Sequence, residues 1–168
     1  MKLNLGCSDD LLAGYVNVDR IDAPGVLYAD LNRIWPWHAG EVEEIRAHDV
    51  FEHLHGPGTV APKIWCMNEA HRVLKPGGIL ELYVPCVMLS DGRLNPGAFA
   101  DPTHVSFWTM DDQYYFCAQW HAPDGERGRL GPAYGITALF DKLLWNLAEY
   151  GDAGNRRAKI QARLRAVK

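Results

Sequence analysis

The sequence predicts an α/β fold with a mostly parallel sheet, and three features of the chain support this. Short apolar runs bounded by Gly, Pro, Asp or Asn recur through the first half, as is typical of buried strands. A helical pattern separates the last two runs, and the strands of such a strand–helix–strand unit are normally parallel. With 168 residues, 48% of them hydrophobic, the chain is long enough for one core, so we expect a single domain over residues 1–168.

The predicted strands of the first half are short. They cover residues 2–5, 15–18, 26–28, 44–47 and 79–84. The predicted helix lies before the last of them. It begins at Pro62, a residue tolerated in the first helical turn, and apolar residues recur at helical spacing from Ile64 to Leu74. Pro76-Gly77-Gly78 then ends it.

The second half is less regular. Residues 92–97 and 122–135 are rich in Gly, Pro and polar residues and are predicted to be loops, with a helix over residues 111–120 between them. Apolar and polar residues alternate over residues 159–167, which predicts a half-exposed strand. We expect an antiparallel partner for it within residues 139–147.

Two crossover helices have no room to form. A parallel crossover takes roughly a dozen residues or more, and the connections after the first and second predicted strands are shorter. Parallel sheets are normally covered on both faces. We therefore expect the face that those helices would cover to be bare, or to be covered by a second copy of the chain or by a partner protein.

Composition limits the classes of function. The formal net charge is −4 and the pI is about 5.9, so we expect neither a nucleic-acid nor a membrane partner. The four cysteines have no zinc-type spacing and are interpreted as reduced, buried residues of a cytoplasmic protein. Residues 156–168 hold six basic residues and no acidic one, which fits a solvated strand edge or a surface for a phosphate or an acidic partner.

Several motifs together resemble the class I S-adenosylmethionine-dependent methyltransferases over roughly residues 2–105. They are Leu3-Asn-Leu-Gly-Cys7, Asp19, Ala29-Asp30-Leu31, Asp49-Val-Phe-Glu52-His53 and Asn68-Glu-Ala-His-Arg-Val-Leu-Lys-Pro-Gly-Gly78. The resemblance implies a Rossmann-like α/β fold with a mostly parallel sheet, an antiparallel C-terminal strand and, here, fewer flanking helices than usual. It also implies S-adenosylmethionine as the cofactor.

The resemblance further implies which residues would bind that cofactor. Gly6 and Cys7 would bracket its methionine part, Asp19 would hold the ribose hydroxyls, Asp30 and Leu31 would face the adenine, and His48 and Asp49 would lie beneath the methionine and sulfonium. The residues alone support part of this, because a glycine after an apolar run lets a ligand approach the backbone. The chain departs from the family in having fewer glycines in the first turn and no helices ahead of the first strand.

Catalytic candidates follow the fifth strand. His104 could accept a proton near neutral pH, with Asp101 beside it in Asp101-Pro-Thr-His104. The alternative is that Asp101 caps the following segment while His104 packs against an aromatic ring.

A metal site is a further alternative. Asp49, Glu52, His53 and His104 resemble the Glu-x-x-Glu-His arrangement of small-RNA 3′-end 2′-O-methyltransferases and of some quinone-biosynthesis O-methyltransferases, where these side chains hold a divalent cation. A Glu-His pair is also widespread in metal-free members, so the main interpretation includes no metal.

The function predicted is therefore S-adenosylmethionine-dependent methyl transfer to an unidentified acceptor, either a small molecule or a hydroxyl group. The alternative is a domain with weak or no activity that serves as a binding or assembly subunit. A nicotinamide-dependent oxidoreductase is disfavoured, because the full Gly-x-Gly-x-x-Gly phosphate fingerprint is absent from the sequence.

Overall fold

The computed structural model describes residues 1–120, 131–152 and 154–168 and contains one seven-stranded sheet of order β3-β2-β1-β4-β5-β7-β6. The strands are β1 (Lys2–Leu5), β2 (Val16–Asp19), β3 (Val26–Tyr28), β4 (Val42–His48), β5 (Leu74–Pro85), β6 (Phe140–Tyr150) and β7 (Arg157–Ala166). The first five are parallel, and β7 is antiparallel to both β5 and β6. The predicted sheet, including its antiparallel C-terminal strand, is confirmed.

One long helix lies in the described part of the chain, α1 (Pro62–Val73), between β4 and β5 as predicted. It ends earlier than the sequence suggested, because Leu74 already pairs with Val42 and so begins β5. The other helical pieces whose two ends are both described are one turn each. They are Phe51–His53, Gly97–Ala100 (α2), Met110–Asp112, Gln113–Phe116 (α3) and Ala118–Trp120. The short helix α2 begins where the predicted 92–97 loop ends.

The prediction of one continuous helix over residues 111–120 is wrong, since this stretch forms three short helical pieces. Thr109 and Asp112 form a reciprocal cap, with the Thr109 backbone N–H 2.7 Å from Asp112 Oδ2, which starts the first piece. Cys117 is extended and forms an isolated bridge with Phe140 at the start of β6. That long-range pairing interrupts the helix and has no local sequence signal.

The core lies on one face of the sheet, beneath α1. Fully buried strand residues include Leu5, Ile45, Leu82 and Ile160, and Met67 of α1 is equally buried. The four cysteines are buried, and none forms a disulfide, which agrees with their interpretation as small core residues.

The opposite face of the sheet carries no helix in the connections after β1 and β2, both of which the structure describes in full. The turn after β1 covers part of it instead, since Asn4 Nδ2 donates to the Asp10 carbonyl at 2.7 Å. Arg46 bridges Asn4 and Asp10, with both contacts at 2.9 Å. Because this face is polar and its charges pair internally, apolar burial does not require a covering partner, and such a partner stays a prediction.

The basic C-terminal segment is largely part of β7. Three of its cations pair with acids of the same chain: Arg156 with Glu149, Lys159 with Asp49, and Arg165 with Asp141 at 2.7 Å. The predicted loop over residues 122–135 lies outside the described residues as far as residue 130, and residues 131–133 are helical instead of loop. Among the described helices, none is both long and apolar enough to cross a bilayer.

Candidate active site

A pocket of about 210 Å³ lies at the carboxyl ends of the first four strands. Its wall is formed by Gly6, Asp19, Arg20, Ala29, Leu31, Asp49, Val50, His53 and Leu54. The strand order reverses between β1 and β4, because β2 and β3 extend the sheet on one side of β1 and β4 on the other. Ligands of open α/β sheets bind in the crevice at such a switch point. Pockets for drug-sized ligands are usually roughly 300 Å³ or larger, so this pocket encloses only part of a large ligand.

Gly6 directly follows β1 and forms part of the pocket wall. Its φ is +63°, in the left-handed region that favours glycine. A Cβ at this position would lie 2.6 Å from Val50 Cγ2, so the residue must also lack a side chain. Gly6 therefore brings bare backbone to the switch point.

Asp19 ends β2 and ties that strand to the turn after β1. Its Oδ2 accepts from the Ser8 backbone N–H at 2.8 Å, and its Oδ1 accepts from the Arg20 backbone N–H at 2.6 Å. A carboxylate has about four lone-pair sites, so acceptor capacity remains on the pocket side. Asp19 thus positions the glycine turn and still offers a charged acceptor to a ligand.

Asp49 follows β4 in an unusual backbone conformation. Its φ is +52°, and Ser8, with a φ of +45°, is the other described non-glycine residue with a positive φ. The Asp49 N–H donates to the Tyr83 carbonyl at 2.9 Å, and its carboxylate pairs with Lys159. Both strained residues lie in turns that bound the pocket, and strain of this kind clusters at functional sites.

Of the seven predicted cofactor residues, four line this pocket: Gly6, Asp19, Leu31 and Asp49. Cys7, Asp30 and His48 lie outside its wall. The Cys7 side chain is buried next to the pocket, and burial raises the pKa of its thiol.

Asp30 and His48 have other partners. Asp30 Oδ1 accepts from the Asn32 backbone N–H at 3.1 Å, and this hydrogen bond lowers the pKa of the carboxyl. The His48 ring stacks on Tyr83 at 3.8 Å and lies 2.7 Å from Glu81 Oε1, on the polar face of the sheet. Burial lowers the pKa of His48. The position of His48 could have been predicted from the sequence. Neighbouring strand residues point to opposite faces of the sheet, so His48 must point away from the core face on which Ala47 is buried.

The predicted catalytic residues form a cluster at the edge of the pocket. Asp101 Oδ1 accepts from Thr103 Oγ1 at 2.6 Å, and Thr103 Oγ1 lies 2.8 Å from His53 Nδ1. The His104 ring packs edge-on against His53, with ring centroids 4.8 Å apart. Burial, together with the neighbouring His104, lowers the pKa of His53. Asp101 thus acts on His53 through Thr103, a contact that sequence reasoning missed because it joins residues fifty positions apart.

Glu52 lies behind this cluster and is 1% exposed. Neither of its carboxylate oxygens has a hydrogen-bond partner among the described residues, and burial raises the pKa of the carboxyl to about 8. Ligand atoms of Glu52, His53 and His104 lie within 4.8 Å of one another. Asp49, the fourth residue of the metal alternative, lies outside this group and pairs with Lys159 instead.

Comparison with known sequences finds one curated relative at a significant level, and no family model matches the chain. The relative is the malonyl-[acyl-carrier protein] O-methyltransferase of Dechloromonas aromatica (strain RCB), 32% identical over 109 residues, which are 62% of this chain and 34% of that protein. The chain therefore spans about a third of the length of the curated relative it matches.

Solved structures resemble the chain along 99% of its length. A S-adenosylmethionine-dependent methyltransferase from Methanosarcina mazei has a TM-score of 0.61, 13% identity and 92% of its own chain covered. The putative methyltransferase in complex with the Haloferax volcanii Trm112 methyltransferase activator has a TM-score of 0.57, 11% identity and 82% covered. Burkholderia thailandensis 1,6-didemethyltoxoflavin-N1-methyltransferase, with bound S-adenosylhomocysteine, has a TM-score of 0.55, 12% identity and 71% covered.

At these identities the solved structures establish the fold. The chain thus shares its fold with solved proteins that are named as methyltransferases, and part of it is similar to a curated protein that is named as an O-methyltransferase.

Proposed function

We propose that this domain binds S-adenosylmethionine in the switch-point pocket and transfers its methyl group to a small-molecule acceptor, with a hydroxyl as the favoured group. One observation carries the proposal: Gly6, Asp19, Ala29 and Asp49 contribute to one pocket from the ends of four consecutive strands. The chemistry of the wall suits a nucleoside, because it combines bare backbone, one charged acceptor and an apolar surface.

Different pocket residues would contact different parts of the cofactor. Asp19 would accept hydrogen bonds from the ribose hydroxyls, and Leu31 with Ala29 would contact the adenine ring. The Gly6 backbone would lie against the methionine part. Asp49 would face the positively charged end, with Lys159 balancing part of its charge. The curated relative and several solved neighbours are named as methyltransferases, which supports this choice of ligand.

When bound, S-adenosylmethionine supplies an electrophilic methyl group, whose bond to sulfur breaks as the bond to the acceptor oxygen forms. The protein aligns the two partners and receives the proton that the hydroxyl loses. His104 is the candidate base, because its Nδ1 lies 2.8 Å from the Ala98 carbonyl and must donate there, which leaves Nε2 as an acceptor. Asp101 is a positioning residue, since it reaches the cluster through Thr103 and His53.

Titration calorimetry with S-adenosylmethionine and S-adenosylhomocysteine tests the proposal. We expect one site per chain and a loss of binding in Asp19→Ala. Asp22→Ala is the matched control, because Asp22 is an exposed aspartate of the next turn that lies outside the pocket wall. Folded protein that binds neither ligand, or binding that Asp19→Ala leaves unchanged, would contradict the proposal.

The same titration decides the alternative of a binding or assembly subunit. The small pocket favours that alternative, and one solved neighbour is itself held in a complex with an activator protein. Absence of cofactor binding by the folded chain would favour it. The expected covering partner or second copy, the single-domain organisation and the cytoplasmic location stay predictions.

A further inference from the structure

We propose that Glu52, His53 and His104 bind one divalent transition-metal cation beside the cofactor pocket. These three side chains carry the proposal by themselves, and only the acceptor named below rests on the proposed function.

The Glu52 side chain is 1% exposed, and both its carboxylate oxygens lack a partner among the described residues. Burying a carboxylate without a hydrogen bond or counter-ion is costly, so such groups are normally paired or bound to a metal. The position is also fixed, because the Glu52 carbonyl accepts from the Val105 and Ser106 N–H groups at 2.8 and 3.2 Å. These bonds hold the Glu52 turn against the segment that carries His104.

The two imidazoles are oriented by hydrogen bonds at their Nδ1 atoms. His104 Nδ1 faces the Ala98 carbonyl, which can only accept, so the proton is on Nδ1 and the lone pair on Nε2. Thr103 Oγ1 donates to Asp101 and therefore accepts from His53 Nδ1, which leaves a lone pair on Nε2 of His53 as well. Histidines that bind metals are commonly fixed in this way, with the second ring nitrogen donating to an oxygen.

Ligand atoms of the three residues lie close together, within 4.8 Å of one another. Bonds of about 2.0–2.2 Å place two ligands of one ion no more than about 4.4 Å apart, so a closure of a few tenths of an ångström completes the site.

The ligand set selects the kind of cation. Two imidazoles and one carboxylate are typical of Zn²⁺, Fe²⁺, Mn²⁺ or Co²⁺ sites that keep open coordination positions. Ca²⁺ and Mg²⁺ prefer oxygen ligands throughout. His53 also lines the cofactor pocket, so the open positions adjoin it. If the proposed function holds, these positions suit a hydroxyl oxygen of the acceptor, whose proton is more easily lost on a metal. Nε2 of His104 is then a metal ligand and not the base, so the proton passes to water.

Metal titration of the full chain tests the site. After EDTA treatment and removal of the chelator, we expect Mn²⁺ to bind with one equivalent per chain by calorimetry and electron paramagnetic resonance. Glu52→Gln and His104→Ala should each weaken binding at least about tenfold, since each removes one of three ligands. His55→Ala is the control for the histidine change, because His55 is exposed and stands outside the cluster.

Two outcomes overturn the proposal: folded protein that takes up no stoichiometric Mn²⁺ or Co²⁺, and uptake that neither cluster variant weakens. If Glu52→Gln fails to fold, the His104→Ala and His55→Ala pair decides alone. A parallel titration with S-adenosylhomocysteine in EDTA separates the two proposals. If S-adenosylhomocysteine binds and the metal does not, only the metal site is contradicted. If the metal binds and S-adenosylhomocysteine does not, only the cofactor pocket is contradicted.

Discussion

The backbone N–H of Ser8 donates to Oδ2 of Asp19 across 2.8 Å, and this bond joins the turn after β1 to the end of β2. The residue proposed to recognise the ribose therefore also holds the glycine turn in place. Recognition and local structure are coupled at Asp19, and a change there affects both.

Asp19→Asn tests this coupling. The amide keeps the shape of the side chain but loses the charge and one acceptor, so we expect binding of S-adenosylhomocysteine to weaken roughly tenfold or more, which corresponds to about 1.4 kcal/mol or more. Calorimetry measures the change, with Asp22→Asn as the control. An unchanged dissociation constant would remove Asp19 from the site.

Gly6→Ala tests the close approach at the switch point. The new methyl group would lie 2.6 Å from Val50 Cγ2, in addition to the cost of a positive φ. Gly14→Ala is a matched control, because Gly14 has a φ of +81° and nothing within 4 Å of an added Cβ. We expect Gly14→Ala to lower the free energy of unfolding by about 1 kcal/mol and Gly6→Ala by at least about 2 kcal/mol. Urea denaturation measures both changes. Equal losses of unfolding free energy would mean that the Val50 side chain moves aside at no cost.

Glu52 should make stability depend on pH. Its pKa is about 8 in the folded chain against an ordinary value of 4.5, so between these values the folded chain keeps a proton that the unfolded chain has lost. The free energy of unfolding should therefore fall as pH rises through this window, by up to about 1.4 kcal/mol per pH unit from this group. Glu52→Gln should remove that contribution. Urea denaturation in EDTA from about pH 5 to pH 8 measures the difference between wild type and variant, and parallel curves would contradict the prediction.

Arg72 should stabilise the packing of the connection between β3 and β4, which contains Trp35 and Trp37, against α1. Its guanidinium binds Glu69 at 2.6 and 2.7 Å and the carbonyls of Trp35 and Trp37, while Glu69 also accepts from the Trp35 N–H. Arg72→Met leaves the buried Glu69 carboxylate without its cation, and we expect a loss of roughly 2–4 kcal/mol in unfolding free energy.

The double variant Arg72→Met with Glu69→Gln provides the control for that change. It removes the stranded charge and should lose less stability than Arg72→Met alone. A double variant that loses the sum of both single changes would show that the two side chains act independently.

The strands were predictable because the sequence pattern that produces each of them lies within the strand and its flanking residues. Alternating or continuous apolar runs ended by turn residues mark every strand of the first half, and Pro62 marks the start of α1. The break in the helix over residues 111–120 was not predictable, because it depends on the pairing of Cys117 with Phe140 across the fold.

The site was predictable only in part, for similar reasons. A glycine and an aspartate at strand ends are local features, and Gly6 and Asp19 do share the pocket. Successive side chains of a strand point to opposite faces of the sheet, so His48, next to the buried Ala47, points away from the pocket. This could have been inferred from the sequence. The hydrogen-bond chain from Asp101 to His53 and the isolation of the Glu52 carboxylate arise from tertiary packing, and no motif encodes them.

The most direct test of the central claim is a crystal structure of this chain grown with S-adenosylhomocysteine. We expect the ligand in the switch-point pocket, with both ribose hydroxyls within about 3.2 Å of the Asp19 carboxylate and the adenine against Leu31. A ligand bound elsewhere on the chain, or a pocket that stays empty at saturating ligand, would contradict it.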